Sequence, residues 1–215
     1  CVFDGNRSGL GGAVAIDANT AVGLCVFSNN TATTTNGGAA VFSDASLTNC
    51  LFYGNSASGD AGAVYCVCRV AFENCTLHNN RAVTGHGGAI STFMEPVSLN
   101  NCIVWGNSAA GGNEIDAATA GPVTLRYCDL PDASQDPNRF SGDVSAIDES
   151  DHCIHKDPSF IDPTRGDYHL SATSPCVDAG SNTLATSRVD LDWKKRILDG
   201  NDDGAAIADI GSFER

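Results

Sequence analysis

"NCTLHNNRAVTGHGGAI", residues 74–90, holds Cys75, His78 and His86 within twelve positions, with Arg81 between the histidines. Such a set invites reading as a metal or catalytic motif, but both halves of the stretch recur along the chain. "CTLHNN" is one of a series with "CVFDGN" at 1, "CVFSNN" at 25, "CLFYGN" at 50 and "CIVWGN" at 102. The Cys-to-Cys intervals are 24, 25, 25 and 27 residues. A second block follows each copy: "GLGGAV", "TNGGAA", "GDAGAV", "TGHGGAI" and a degraded "AGGNEI". Two blocks in fixed order, five times over, define a repeat architecture before any secondary structure is assigned.

A unit of about 25 residues is too short for paired-helix repeats, and the leucine-rich pattern is missing. Its segments are short, apolar and β-branched, separated by Gly, Asn, Ser and Thr, and read as strand-turn-strand-turn. The expected fold is therefore all-β: a parallel β-helix of about five to six coils over residues 1–127, its strands stacked about 4.8 Å apart into a rod of roughly 25–30 Å. The pleat puts Cys1, Cys25, Cys50, Cys75 and Cys102 in one inward column and Phe3, Phe27, Phe52, Leu77 and Val104 in another. Asn6, Asn30, Asn55, Asn80 and Asn107 end the strands, and stacked carboxamides can bond from coil to coil as an asparagine ladder. The Gly pair supplies a bend where φ can be positive.

The alternation of Gly-Gly-Ala-Ile with Phe-x-x-Asn resembles the repeats of the chlamydial polymorphic outer-membrane proteins and related bacterial surface proteins. That resemblance implies a right-handed helix and display on a bacterial surface. The end of the chain is similar to the choice-of-anchor Q region that follows such helices. It matches at Asp157-Pro158-x-Phe160, Gly166-Asp167-Tyr168-x-Leu170, Ser174-Pro175, Asp178-Ala179-Gly180 and Asp209-Ile210-Gly211. It departs from that pattern at Cys176 and at "DWKKR". Residues 128–215 are irregular and rich in Asp and Pro, and are expected to cap the helix end within the same domain, a return along one flank being a further option. Because Cys1 opens inside a repeat block, the chain reads as part of a longer protein. Either earlier coils precede the first one or a partner protects it, self-association through that coil being one expectation.

Twenty-six acidic against twelve basic residues give a net charge of −14, which argues against nucleic acid and anionic membrane surfaces as partners. No apolar run is long enough for a membrane-spanning helix. An extracellular or cell-surface setting, with a glycan or a host or neighbouring cell as partner, is the expectation.

Ten cysteines in a surface protein suggest disulfides, yet parallel in-register Cβ vectors do not favour disulfide torsions. The column is therefore expected to hold reduced thiols and to continue through Cys128. Cys153 and Cys176 fall outside it and are the expected disulfide pair. Cys66 and Cys68 share a strand face, and no further ligands are evident for a zinc site.

If Cys and the third residue face inward, the fourth faces out: Asp4, Ser28, Tyr53, His78 and Trp105. Tyr53, His78 and Trp105 then form an exposed aromatic strip suited to sugar faces, or simply shield one another. The expected function is adhesion or glycan binding without catalysis. The alternative is a polysaccharide lyase or hydrolase on an acidic polysaccharide, for which His78, Arg81 and His86 are the one dense set of base and cation. A structural surface or filament component is a third reading. Glu114 and Asp116, the close carboxylate pair a hydrolase needs, are expected to face water. "DGNDDG", residues 199–204, matches the first half of a calcium loop through Asp199, Asn201 and Asp203, but Ile210 stands where an EF-hand carries Glu. A structural Ca²⁺ and a plain acidic turn both fit; no other cofactor is implied.

Overall fold

The computed structural model describes residues 1–118 and 121–215. Three parallel strand columns make a β-solenoid. The first face stacks Val2–Asp4, Val26–Ser28, Leu51–Tyr53, Thr76–His78 and Ile103–Trp105 in strict register, and bridges Ile103–Asp129 and Asp129–Ile154 carry it further. The second face holds the two-residue strands Arg7–Ser8, Thr31–Ala32, Ser56–Ala57 and Arg81–Ala82. The third begins with the long strands Val14–Gly23 and Ala40–Thr48 and then divides into two shorter segments per coil.

The stack does not stop at residue 127. Phe140–Gly142 pairs in parallel with Ile115–Ala117, and Ile147–Asp151 with Val123–Arg126. Residues from Cys128 to about Ile154 are thus a sixth coil, whose repeat signal is lost because its turns are Asp- and Pro-rich. Cys153 corrects the cysteine reading for the same reason: it packs against the solenoid core, whereas Cys176 lies in a separate cluster with Ile103, Leu170 and Ile210. Both are free thiols, as are the other eight. Cys66 is buried in the core, while Cys68 lies beyond the end of strand Val64–Cys66 and is only partly covered.

The core follows the pleat. Cys50, Cys75, Cys102 and Cys128 are fully buried, as are Phe52, Leu77, Val104 and Leu130. Phe3, Phe27 and Phe52 stack with ring centroids 4.7 Å apart and nearly parallel planes, the strand spacing imposed on the rings. At the corner beyond, each Asn Nδ2 donates to the next Oδ1 at 2.9 Å, from Asn6 through Asn30, Asn55 and Asn80 to Asn107. Asn107 Nδ2 then donates to Glu114 Oε2 at 2.6 Å. Glu114 is buried, and so is Asp116, whose two oxygens accept from Ser91 and Ser141. The expectation that this pair faces water is therefore corrected: each carboxyl fills a hydrogen-bonding vacancy in the stack.

The second Gly of each pair is obligatory on contact grounds. A Cβ on Gly38 would lie 1.9 Å from Gly62 O, and one on Gly88 2.1 Å from Asn113 O. The position before it takes positive φ, met by Gly37 and Gly87 and, at some cost, by Ala61.

The remaining chain, from about Asp157, lies along the outside of the first face rather than over the helix end. The reason is in the repeat: the residues that follow the column Cys, Leu51, Thr76, Ile103 and bridge residue Asp129, point outward and are all buried. Leu51 packs with Tyr168 and Phe213, and Ile103 with Leu170, Cys176 and Ile210. Three asparagines at the turn into the first face form the seam. Asn49 Nδ2 donates to Val189 O at 2.7 Å, Asn74 Nδ2 to Asp209 O at 3.2 Å, and Asn101 Nδ2 to Ser181 O at 3.0 Å. All three have φ near +50°, a conformation Asn tolerates better than most residues. Arg196, fully buried, closes the seam by donating to Asn49 Oδ1, Ser212 O, Gly211 O and Glu214 Oε2.

Candidate functional site

The flanking chain decides the fate of the aromatic column. His78 is covered: its ring lies 5.4 Å from Phe160, edge to face, and 5.2 Å from Tyr168. Its Nδ1 has no partner among the described residues. Burial pushes its pKa down to about 4, against a smaller opposing pull from Asp157, so the ring is neutral at physiological pH. Trp105 is half-buried against the Ile103–Leu170–Cys176–Ile210 cluster. An exposed strip of three rings is therefore not formed, because the outward side of the first face is an internal packing surface.

Tyr53 keeps an open side. Its ring packs against Tyr168 at 4.9 Å, and the αL residue Gly166 (φ +81) brings bare backbone beside its hydroxyl: a Cβ there would sit 3.1 Å from Tyr53 Oη. Tyr53 lines a cleft of about 310 Å³ together with Asn29, Asn79, Thr164, Arg165 and Tyr168, within the size range of small-ligand sites. Asn29 and Asn79 sit at positive-φ corners on either side of Gly54 in the stack. A Cβ on Gly54 would come within 2.8 Å of Asn29 Oδ1, which keeps that corner open. Asn29 Nδ2 is held by Asp4 Oδ1 at 2.9 Å; the exposed Asn79 amide makes no side-chain hydrogen bond among the described residues. Arg165 lies 3.6 Å from Asp162 and is largely solvent-exposed. The cleft thus joins a ring face to amide and guanidinium donors, the equipment for hydroxyl-rich ligands.

The remaining candidates are dispersed. Arg81 is exposed on the second face beside Ser108, and His86 is exposed with Nδ1 3.6 Å from Asp60 Oδ1. No hydrogen bond, ion pair or ring contact among the described residues joins either of them to His78. Asp199, Asn201 and Asp203 lie between strands Ile197–Leu198 and Ile207–Ala208. Their side-chain oxygens accept from the loop's own amides: Asp199 from Asp203 N and Gly204 N, Asn201 from Asp203 N, Asp203 from Ala205 N. Among the described residues no three His, Cys, Asp or Glu side chains gather as a ligand set. Sequence reasoning missed Asn29, Asn79, Thr164 and Arg165, since they meet only when the flanking chain folds back on coils two to four.

The model of the Chlamydia polymorphic membrane protein repeat matches residues 24–44 and 49–67. These are most of the second coil and the first part of the third, so those two coils are similar to repeats of this type. No curated protein and no solved structure matches the chain. The likeness of the C-terminal region to choice-of-anchor Q rests on its motifs alone.

Proposed function

We propose that this chain is displayed on a bacterial surface and binds glycans through the Tyr53 cleft, serving adhesion without catalysis. The observation that carries the reading is the cleft itself, where the Tyr53 ring adjoins Asn79 and Arg165 in an opening of about 310 Å³. The polymorphic membrane protein type of the repeats supports surface display. The alternative of a lyase draws no support from the geometry, since His78 is covered while Arg81 and His86 lie elsewhere.

A glycan array followed by calorimetry on the best oligosaccharide tests the reading. Tyr53→Ala and Arg165→Ala are expected to weaken binding about tenfold or more, roughly one lost stacking or charge-assisted contact. Trp105→Ala serves as a control expected to affect stability alone. Unchanged affinity in both cleft variants would remove the cleft as the binding site.

A further inference from the structure

The segment "RVDLDWKKR", residues 188–196, departs from its surroundings in charge: four cations against two carboxylates in a chain of net charge −14. It folds as a tight hairpin. Val189 and Lys195 form an antiparallel bridge, with Arg196 N donating to Arg188 O, Asp190 N to Lys194 O, and Trp193 N to Asp190 O. The buried Asp190 carboxylate fixes the turn. Oδ1 accepts from Asp192 N at 3.0 Å and Lys194 N at 2.8 Å, and Oδ2 accepts from Glu214 N at 2.9 Å.

At the tip stands Trp193, with φ +66 and 71% of its surface exposed. A left-handed backbone is unfavourable for a bulky residue, and the fold gains no core packing in return. The turn would accommodate Gly or Asn without that strain. A strained, rigidly held and exposed aromatic is the kind of residue that function retains.

Beside the hairpin lies a cleft of about 340 Å³ lined by Ala185, Thr186, Ser187, Arg188, Lys195 and Ile197. Arg188 and Lys195 are exposed and form no ion pair among the described residues. Arg196 is turned inward to Glu214, and Lys194 is engaged at 3.7 Å by Asp192. Glu73, which reaches this segment, is occupied by the Thr186 hydroxyl and the Ser187 amide. Two cations without an ion pair among the described residues therefore border one opening. Trp193 stands at the tip of the same hairpin, two residues before Lys195.

We propose that Arg188 and Lys195 bind the carboxylate or sulfate groups of an anionic polysaccharide, with Trp193 stacked on an adjoining sugar. This site is separate from the Tyr53 cleft and does not depend on it. A guanidinium grips planar or tetrahedral oxyanions through paired donors, and a nearby ammonium adds a second point charge.

The test is calorimetry of the whole chain with heparin, polygalacturonate and neutral dextran as probes. Binding of heparin reports sulfate recognition, binding of polygalacturonate reports carboxylate recognition, and either supports the site if dextran is not bound. Affinity should fall as salt is raised. It should drop about tenfold or more in Arg188→Glu/Lys195→Glu and in Trp193→Gly, while Tyr53→Ala leaves it unchanged. Both sets of side chains are exposed, and Trp193→Gly relieves the left-handed strain, so circular dichroism is expected to show intact folds. Failure to bind either anionic polymer, equal binding of dextran, salt-independent affinity or unchanged affinity in the variants overturns the proposal.

Discussion

Glu114→Gln isolates the carboxyl that ends the asparagine column. Glu114 is fully buried, and it accepts from Asn107 Nδ2 at 2.6 Å and from Asn107 N at 3.3 Å. Burial is the main cause that lifts its pKa from the ordinary 4.5 to about 8, and the Asn107 bonds pull partly the other way. Between those values the folded protein holds a proton that the unfolded chain has released. Stability therefore falls as pH rises through this window, by about 1.4 kcal/mol per pH unit. From 4.5 to about 8, the loss reaches roughly 3–5 kcal/mol once residual structure in the unfolded chain is allowed for. Glutamine keeps one oxygen for the short bond from Asn107 Nδ2, loses the acceptor of the longer bond from Asn107 N and removes the titration. Urea denaturation from pH 4.5 to 9 should show the variant about 1 kcal/mol or less below the parent at the acid end. The variant should gain steadily up to about pH 8 and hold a constant advantage above it. Asp129, Asp209 and Glu214, raised by burial to about 7, 6 and 8, tilt both proteins alike and cancel in the difference. Parallel curves separated by a fixed offset would refute a buried, proton-holding Glu114.

Three further outcomes follow from the packing. Phe52→Ala, a fully buried ring stacked on Phe27 at 4.7 Å, should cost about 3–5 kcal/mol in urea unfolding; a loss below about 1 kcal/mol would mean the column is not close-packed. Asn49→Ala removes one acceptor from buried Arg196 and one donor to Val189 O. It should cost about 2–4 kcal/mol and raise hydrogen exchange in residues 181–215 ahead of the coils, whereas uniform acceleration would deny the seam its role. His78, depressed to about 4 by burial, lowers stability as pH falls from 6.5 toward 4, because only the unfolded chain takes up the proton there. Its ring proton shifts in NMR should therefore stay flat from pH 5 to 8, and a midpoint near 6.5 would show that Phe160 and Tyr168 do not cover it.

Much of the solenoid is legible in the chain because a repeat states the same constraint several times. Each coil needs a small inward Cys, an inward Phe or aliphatic, a corner Asn and a Gly that clears the next coil's carbonyl, and these recur in step. The sixth coil is illegible: Cys128 and Cys153 keep the interval, but the intervening Asp- and Pro-rich turn erases the second block. The aromatic column misleads for a related reason. Alternation identifies which residues point outward, while the apolar second positions, Val26, Leu51 and Ile103, already signal that the outer side is covered too. The asparagines of the seam carry a local signature as well, since Asn precedes Cys at 49, 74 and 101 and is replaced by Leu24, Tyr127 and His152 elsewhere.

By itself the sequence determined the coil, its period and its inward columns, because these depend on contacts between residues about 25 apart that every repeat restates. Tertiary structure alone decided where the chain beyond Asp157 goes, and with it which aromatic residues meet solvent. The hydrogen bonds of that seam join residues 80 to 147 positions apart and occur once each, so no periodicity announces them. Thus "NCTLHNNRAVTGHGGAI" is a coil whose Asn74 and His78 face the flanking chain, and the open chemistry moves to the Tyr53 cleft.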